Sequence, residues 1–556
     1  MPAALTMSLC LVATGAAAQQ APPALPGSID TGRAINPNQL LQAPQAPSAA
    51  VKFSFPAQNK GSTAKSGSGL KFVLQRITVT GASLVGPDFY DPLIKELVGR
   101  KIGLAEVVAL ADAIQAQYLA LGYPLTRAYV PPQEIAGGTI RIAVLEGHVG
   151  KVEVEGVEGA TAERLRAVVS PILESNPTDL ATIERALLLA GDRPAMAVTG
   201  VLQPGTEPGV ADLVLTASER PLVASMGVSN RGTDYVGPWT SYADVAFGNQ
   251  FGLGEQIGIT LSGTPSSPGQ RSVTMRYLQP IGSDGVVSTI TGSFSKGKPA
   301  ESLSEYDVRT ESYSIGQNIT YPLVRSRREN VLIDFGWTVQ SSVVNLLSAR
   351  YTKDDWRTVS LKGTYAEAGF LKGGTVITGG IVQGVPVFGT NSASAGEGSR
   401  TGARSFFSKF VVDSQRVQNL PYGFSLAVNV AAQYSALPLF SAEEFSLGGA
   451  RFGRGYNSGD LTGTNGLGLS GELRYPIVLD DDRVASLVAY SFYDWGRVWR
   501  STVTDPHLAS AGAGFRTVLT SGETINIEVA QRLRALDVTG AEHVGTRVLV
   551  EVATSF

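Results

Sequence analysis

"VLIDFGWTV", residues 331–339, decides how most of this chain must be read. Val331, Ile333, Phe335 and Trp337 fall on one face of an extended segment, and Asp334 and Thr338 fall on the other. The same two-residue period returns in "TINIEVAQ" (524–531), where Ile525, Ile527 and Val529 alternate with Asn526 and Glu528. It returns again in "TRVLVEVATSF" (546–556), where Val548, Val550 and Val552 oppose Arg547 and Glu551. From Leu222 to Phe556 such segments recur about every twenty residues, split by Gly, Ser, Asn and Asp, and about sixteen of them fit. They run to ten residues or more, whereas strands of soluble sandwiches and propellers run nearer five or six. One apolar face and one charge-bearing face is the pattern of a transmembrane barrel with a wet lumen. The last strand ends on an aromatic residue, Phe556, as outer-membrane barrels usually do.

Working outward, no stretch of the chain forms an apolar helix of ~20 residues. If the chain spans a membrane, it does so as a closed barrel, because only closure satisfies strand backbone groups in lipid. The 556 residues exceed what one compact domain normally holds. A charged fraction of 17% against 43% hydrophobic residues, with 63 glycines, is low in charge for a soluble protein. A net charge of -3 without a Lys/Arg run argues against nucleic acid as a partner. Cys10 is the single cysteine, and the histidines are His148, His507 and His543, so no Cys/His metal site is predicted. "GLGLSGE" (466–472) lies in a predicted strand rather than a strand-to-helix elbow. No catalytic residue and no cofactor are therefore predicted.

The N-terminus reads as a signal peptide over 1–19. It has an apolar stretch at Leu9–Val12 and small residues for cleavage near Ala18, but lacks a basic start. Residues 20–71 form a Pro/Ser-rich extension and linker, with a candidate plug helix in "SIDTGRAINPNQLLQAP" (28–44) that Pro37 limits. Residues 72–147 then read β-α-α-β-β. "QRITVTG" (75–81) is a strand, and a short helix is placed around Pro92–Val98. A longer helix repeats Val107, Leu110, Ala111, Ile114 and Tyr118 at spacings of three and four, and Gly122 stops it. "LTRAYVP" and "TIRIAVLEG" are strands. Residues 148–220 repeat the order. There Asn176 is the expected cap, Pro177 the first helical residue and Gly191 the stop of the second helix.

Several stretches together resemble the outer-membrane transporters of two-partner secretion, the ShlB/FhaC/HecB or TpsB family. "GYPLTRAYVPPQEIAGGTIRIAVLEG" (122–147) resembles their first periplasmic POTRA module, and "SNRGTDYVGPWTSYADVAFGNQFGLGEQI" (229–257) resembles the start of their barrel. "GGARFGRGY" (448–456) resembles the superfamily's (V/I)RG(F/Y) loop motif, with Gly453 where Val or Ile is usual, and "SFYDWG" (491–496) resembles its F-x-D-x-G strand motif. The resemblance implies an α+β fold of two POTRA modules, 72–147 and 148–220, followed by an all-β barrel of about sixteen antiparallel strands over 221–556. It implies a lumen-docked loop around 439–465. It places the protein in the outer membrane of a Gram-negative bacterium, with the POTRA modules in the periplasm. The implied function is ATP-independent export of an unfolded partner exoprotein, such as an adhesin, a haemolysin or a contact-dependent toxin. Outer-membrane lipid and, through Phe556, the barrel-assembly machinery are the further partners implied. The alternative within the superfamily is an insertase that assembles other barrels; its members usually carry more POTRA modules than the two that fit here.

The chemistry of the two motifs follows from the residues themselves. Alternation puts Phe492, Asp494 and Gly496 on one face of a strand and Tyr493 and Trp495 on the other. A carboxylate does not face lipid cheaply, so the Asp494 face is the lumen. Arg454 lies between Gly453 and Gly455 and before Tyr456, in a loop that approaches a wall closely. The expectation is that Arg454 grips Asp494 with a two-pronged guanidinium contact, while Gly496 leaves room and Phe492 offers a packing surface. Arg451 is expected to be a surface or lumen charge.

Overall fold

The computed structural model describes residues 71–265, 269–299, 301–391, 398–499, 506–536 and 544–556. The expected signal peptide (1–19) and the extension with its candidate plug helix (20–70) lie outside the described residues.

The first module runs β1 (Lys71–Val73), β2 (Arg76–Thr80), α1 (Pro87–Lys95), β3 (Lys101–Gly103), α2 (Leu104–Ala120), β4 (Arg127–Tyr129) and β5 (Thr139–Leu145). β2 and β4 flank β5, parallel and antiparallel to it respectively. The repeating face of α2, Val107, Leu110, Ala111, Ile114 and Tyr118, packs on Ile77, Ile140, Ile142 and Val144 of the sheet. Gly122 adopts φ 93°, and the N–H groups of Gly122 and Tyr123 return to the carbonyls of Leu119 and Tyr118, which ends the helix. Two features differ from the sequence reading. α1 starts at Pro87 rather than near Pro92, because a proline at the first position has no N–H to leave unpaired. β1 and β3 also pair as a separate two-stranded ribbon.

The second module runs β6 (His148–Glu155), α3 (Gly159–Glu174), α4 (Leu180–Gly191), β7 (Met196–Pro204) and β8 (Val210–Glu219). Its sheet repeats the first topology, with β6 parallel and β7 antiparallel to a central β8. α4 begins after Asp179, not Asn176. The Asp179 carboxylate accepts the Thr182 N–H at 2.8 Å, a cap that the Asn176–Pro177 reading overlooked.

From Leu222 onward the chain forms a closed barrel of sixteen antiparallel strands. Its outer surface follows the alternation of residues 331–339. Ile333, Phe335 and Trp337 are exposed outward, while Asp334 points inward and accepts from Thr320 Oγ1 at 2.5 Å and Asn318 Nδ2 at 3.0 Å. The barrel closes where the first strand, Leu222–Ser229, meets the last, Thr546–Ser555, over five residue pairs. Asn230 extends that seam with its side chain: Oδ1 accepts the Val550 N–H at 2.7 Å and Nδ2 donates to the Val548 carbonyl at 2.8 Å.

The second module is fixed to the barrel end where the chain enters. Arg325 forms a two-pronged pair with Asp192, at 2.6 and 2.8 Å. Arg185 donates to the Pro322 carbonyl at 3.0 Å, and Glu184 accepts the Arg327 N–H at 2.8 Å.

Candidate functional site: a loop anchored inside the barrel

The connection between the strands Ser425–Ser435 and Asn465–Ile477 folds into the lumen and makes its own short ribbon, Phe445–Leu447 against Leu461–Gly463. That ribbon shares no ladder with the barrel. "GGARFGRGY" forms the bend within it. Gly448, Gly449 and Gly453 all have positive φ, at 97°, 80° and 104°, which a side chain would oppose. The Gly448 N–H donates to the Phe452 carbonyl at 2.8 Å, and the Gly449 N–H to the Tyr456 carbonyl at 3.0 Å.

Arg454 is buried against three strands of the wall. Its Nη1 donates to Glu472 Oε2 at 2.9 Å and lies 3.5 Å from Glu528 Oε2. Its Nη2 donates to Ser470 Oγ at 3.2 Å and to Asp494 Oδ1 at 3.3 Å. Its Nε lies 3.3 Å from Asp494 Oδ2, without an angle that makes a hydrogen bond. The guanidinium carbon sits 3.6 Å from the centre of the Phe492 ring, a close cation–π contact.

Arg454 and Asp494 therefore meet, but the expected two-pronged grip is not formed. The better hydrogen bond of the guanidinium goes to Glu472. Asp494 is instead a collector of donors. It is fully buried and accepts from the backbone N–H groups of Arg454 (3.0 Å) and Gly453 (3.3 Å) and from the hydroxyls of Ser470 (2.8 Å) and Ser510 (3.2 Å). It holds the loop by its backbone as much as by its charge.

The glycines of both motifs are set by close approach. A β-carbon on Gly455 would lie 3.1 Å from Arg532, whose Nε donates to the Gly455 carbonyl at 2.6 Å. A β-carbon on Gly496 would lie 2.5 Å from Leu447, which fills the space over that glycine. The Tyr456 hydroxyl reaches the carbonyls of Arg534 (2.7 Å) and Ala509 (3.0 Å). Arg451 is half-exposed in the lumen; it pairs with Asp413 of the wall and stacks over Phe452 at 5.0 Å.

Four further residues belong to the site. Ser470 and Glu472 come from the strand Asn465–Ile477, Glu528 from Thr524–Arg532, and Arg231 from the loop after the first strand. Glu472 is shared with Arg474 at 2.6 Å and approaches Arg516 at 3.7 Å. Glu528 is shared with Arg231 at 2.8 Å and with the Tyr490 hydroxyl at 2.8 Å, and Arg231 continues to Glu551 at 3.3 Å. One chain of alternating charges thus runs from the loop to the strand that closes the barrel. Period-two reading marks Glu472 and Glu528 as inward-facing. Their meeting at Arg454 depends on register, which pairs Ser470 and Ser510 across from Asp494. Among the described residues, no group of three or more His, Cys, Asp or Glu could hold a metal ion.

Residues 209–517 match the family described as haemolysin secretion/activation protein ShlB/FhaC/HecB, more than half of the chain, and residues 72–147 match the ShlB-type POTRA domain. The chain belongs to the ShlB/FhaC/HecB family. This ShlB/FhaC/HecB member is 23% identical to the heme/hemopexin transporter protein HuxB of Haemophilus influenzae over 85% of its own length and 86% of HuxB. It is 26% identical to the outer membrane transporter CdiB of Escherichia coli over 73% of its length and 69% of that protein. Among solved structures, CdiB from Escherichia coli shares its fold with a TM-score of 0.70 at 21% identity, covering 90% of this chain and 94% of that one. The protein is an outer-membrane transporter of a secretion family, and its POTRA-bearing end lies in the periplasm.

Proposed function

We propose that this ShlB/FhaC/HecB transporter exports one large partner exoprotein, of the adhesin, haemolysin or contact-dependent toxin kind, and that it captures that partner unfolded in the periplasm. Residues 72–147 and 148–220 act as two POTRA modules. The outer strands of their sheets, β2 and β4 in one and β6 and β7 in the other, offer edges to which an extended segment adds. No step uses nucleotide hydrolysis; folding of the exported chain outside the cell prevents its return.

The observation that carries this reading is how the lumen loop is held. It is fastened by side chains around Arg454 and Asp494 and not by barrel ladders, so it can leave without opening a strand pair. In the resting state the loop occupies the lumen, and cargo entry displaces it. The exposed Phe556 ring at the periplasmic end of the last strand serves as the signal for barrel assembly.

Deleting the gene tests the reading against barrel assembly as the function. Export predicts that one large secreted protein disappears while other outer-membrane barrels keep their levels. General loss of barrels would replace export with insertase activity.

A further inference from the structure

Beneath the barrel, the turn 249–255 carries an uncompensated pair of cations. The Arg164 guanidinium of α3 donates to the Gly252 carbonyl, and Arg193, just after α4, comes to 3.7 Å from the β-carbon position of Gly254. The two guanidinium groups thus flank one turn, at Gly252 and Gly254, and Arg193 is half-buried. Burial first and Arg164 second push the Arg193 guanidinium below its ordinary range. Among the described residues, no carboxylate lies within 4.0 Å of either group.

The carboxylates of this corner are engaged elsewhere. Glu255 accepts the N–H groups of Phe251 and Leu253 at 2.6 and 3.0 Å, and Glu219 accepts from Asn249 at 2.7 Å and Thr161 at 3.2 Å. The backbone of Arg220 meets the same junction, where its main-chain N–H donates to the Ala195 carbonyl at 2.6 Å.

The position of this corner relative to the bilayer follows from its neighbours. A β-carbon on Gly248 would lie 2.0 Å from Ala195, two residues after Arg193. Gly248 follows Phe247, which pairs across the ladder with Leu222, and both are exposed on the outer wall. The apolar band of the barrel therefore ends beside the arginines. Phe251 and Leu253 are exposed on the turn itself. Two cations beside exposed apolar side chains, at the level where hydrocarbon gives way to headgroups, form an amphipathic site.

We propose that Arg164 and Arg193 bind the phosphate of a glycerophospholipid from the periplasmic leaflet, with its acyl chain against Phe251, Leu253 and Leu222. A guanidinium pair suits a phosphate better than water does, because each fork matches two oxygens. The bound lipid also removes the repulsion between the two arginines and ties the second module to the membrane at the point where the chain enters the barrel.

Native mass spectrometry of the full-length protein in detergent, titrated with phosphatidylglycerol, tests the proposal. Each arginine is worth roughly fivefold in affinity, so Arg164→Ala with Arg193→Ala should weaken binding of the tightest lipid about twenty-five-fold. Arg483→Ala, at another periplasmic turn where Arg483 pairs with Asp481 at 2.8 Å, should change nothing. Phe251→Ser should weaken the lipid without altering charge. On the unmutated protein, raising salt should release phosphatidylglycerol but leave uncharged diacylglycerol binding unaffected. Inorganic phosphate at millimolar concentration should not displace the lipid. Equal lipid retention by the double variant, equal loss in Arg483→Ala, salt-independent binding, or full displacement by phosphate would each overturn the proposal.

Discussion

Replacing Asp494 by asparagine separates the two ways in which that residue holds the loop. In Arg454→Ala, Glu472 keeps Arg474 and Glu528 keeps Arg231, so Asp494 alone loses its cation. Stranding one buried charge costs roughly 3–5 kcal/mol. Losing the stack on Phe492 adds about 2 kcal/mol. Together these shift the docked loop toward release by more than about a thousandfold. In Asp494→Asn, an oxygen still accepts the loop N–H groups, and Arg454 keeps Glu472 at 2.9 Å. What is lost is about one charge-assisted hydrogen bond, roughly 1.5–3 kcal/mol, or about thirtyfold. Asp494→Ala also orphans two buried N–H groups and approaches the Arg454→Ala loss. The combination Arg454→Ala with Asp494→Asn should dock better than Arg454→Ala alone, because the stranded charge is gone. Hydrogen–deuterium exchange over 445–463 reads the docking, with barrel integrity checked by heat-modifiable gel mobility. Should Asp494→Asn expose the loop as much as Arg454→Ala, or the combination fail to recover protection, the charge-and-backbone division of labour argued here is wrong.

Two further outcomes follow from the geometry. Gly496→Ala places a methyl 2.5 Å from the fully buried Leu447 and should destabilise the docked loop by about 1–3 kcal/mol; Leu447→Ala in the same chain should relieve part of it, read by the same exchange. In the first module, burial pushes the Glu146 carboxyl up. The Leu84 N–H, the Ser83 hydroxyl, the Tyr118 hydroxyl and the Ser83 N–H outweigh burial and hold it below its ordinary 4.5. A lowered folded-state value means that its contribution is complete above about pH 4.5 and disappears as pH falls through that lower value. Exchange in residues 82–84 and 118 should therefore rise in that acid window, and Glu146→Gln should flatten the dependence.

Much of the architecture was legible because it rests on local rules. The α2 stripe from Val107 to Tyr118, the stop at Gly122 and the outward Ile333, Phe335 and Trp337 all follow from period and backbone preference. Where two local signals competed, the reading slipped. The first short helix was placed around Pro92, whereas the proline that opens it is Pro87, and Asp179 takes the cap expected of Asn176 because its carboxylate reaches the Thr182 N–H. The (V/I)RG(F/Y)-like loop and the F-x-D-x-G strand were legible as partners from the family resemblance, and their charges made the match physical.

The sequence by itself determined which side chains face inward, since alternation is a property of one strand. Asp494 was assigned to the lumen and Glu528 to a polar face on that ground alone; Glu472, in a strand read only as a strand, was not assigned. Only the tertiary structure decided that these three carboxylates, from three separate strands of the last part of the barrel, converge on one guanidinium. Convergence is a matter of register between strands, and register is set by the closure of the whole barrel rather than by any segment of it. The same holds for the arginine pair at the module junction, whose members come from α3 and from the residues after α4 and reach one turn because the second module is docked against 249–255.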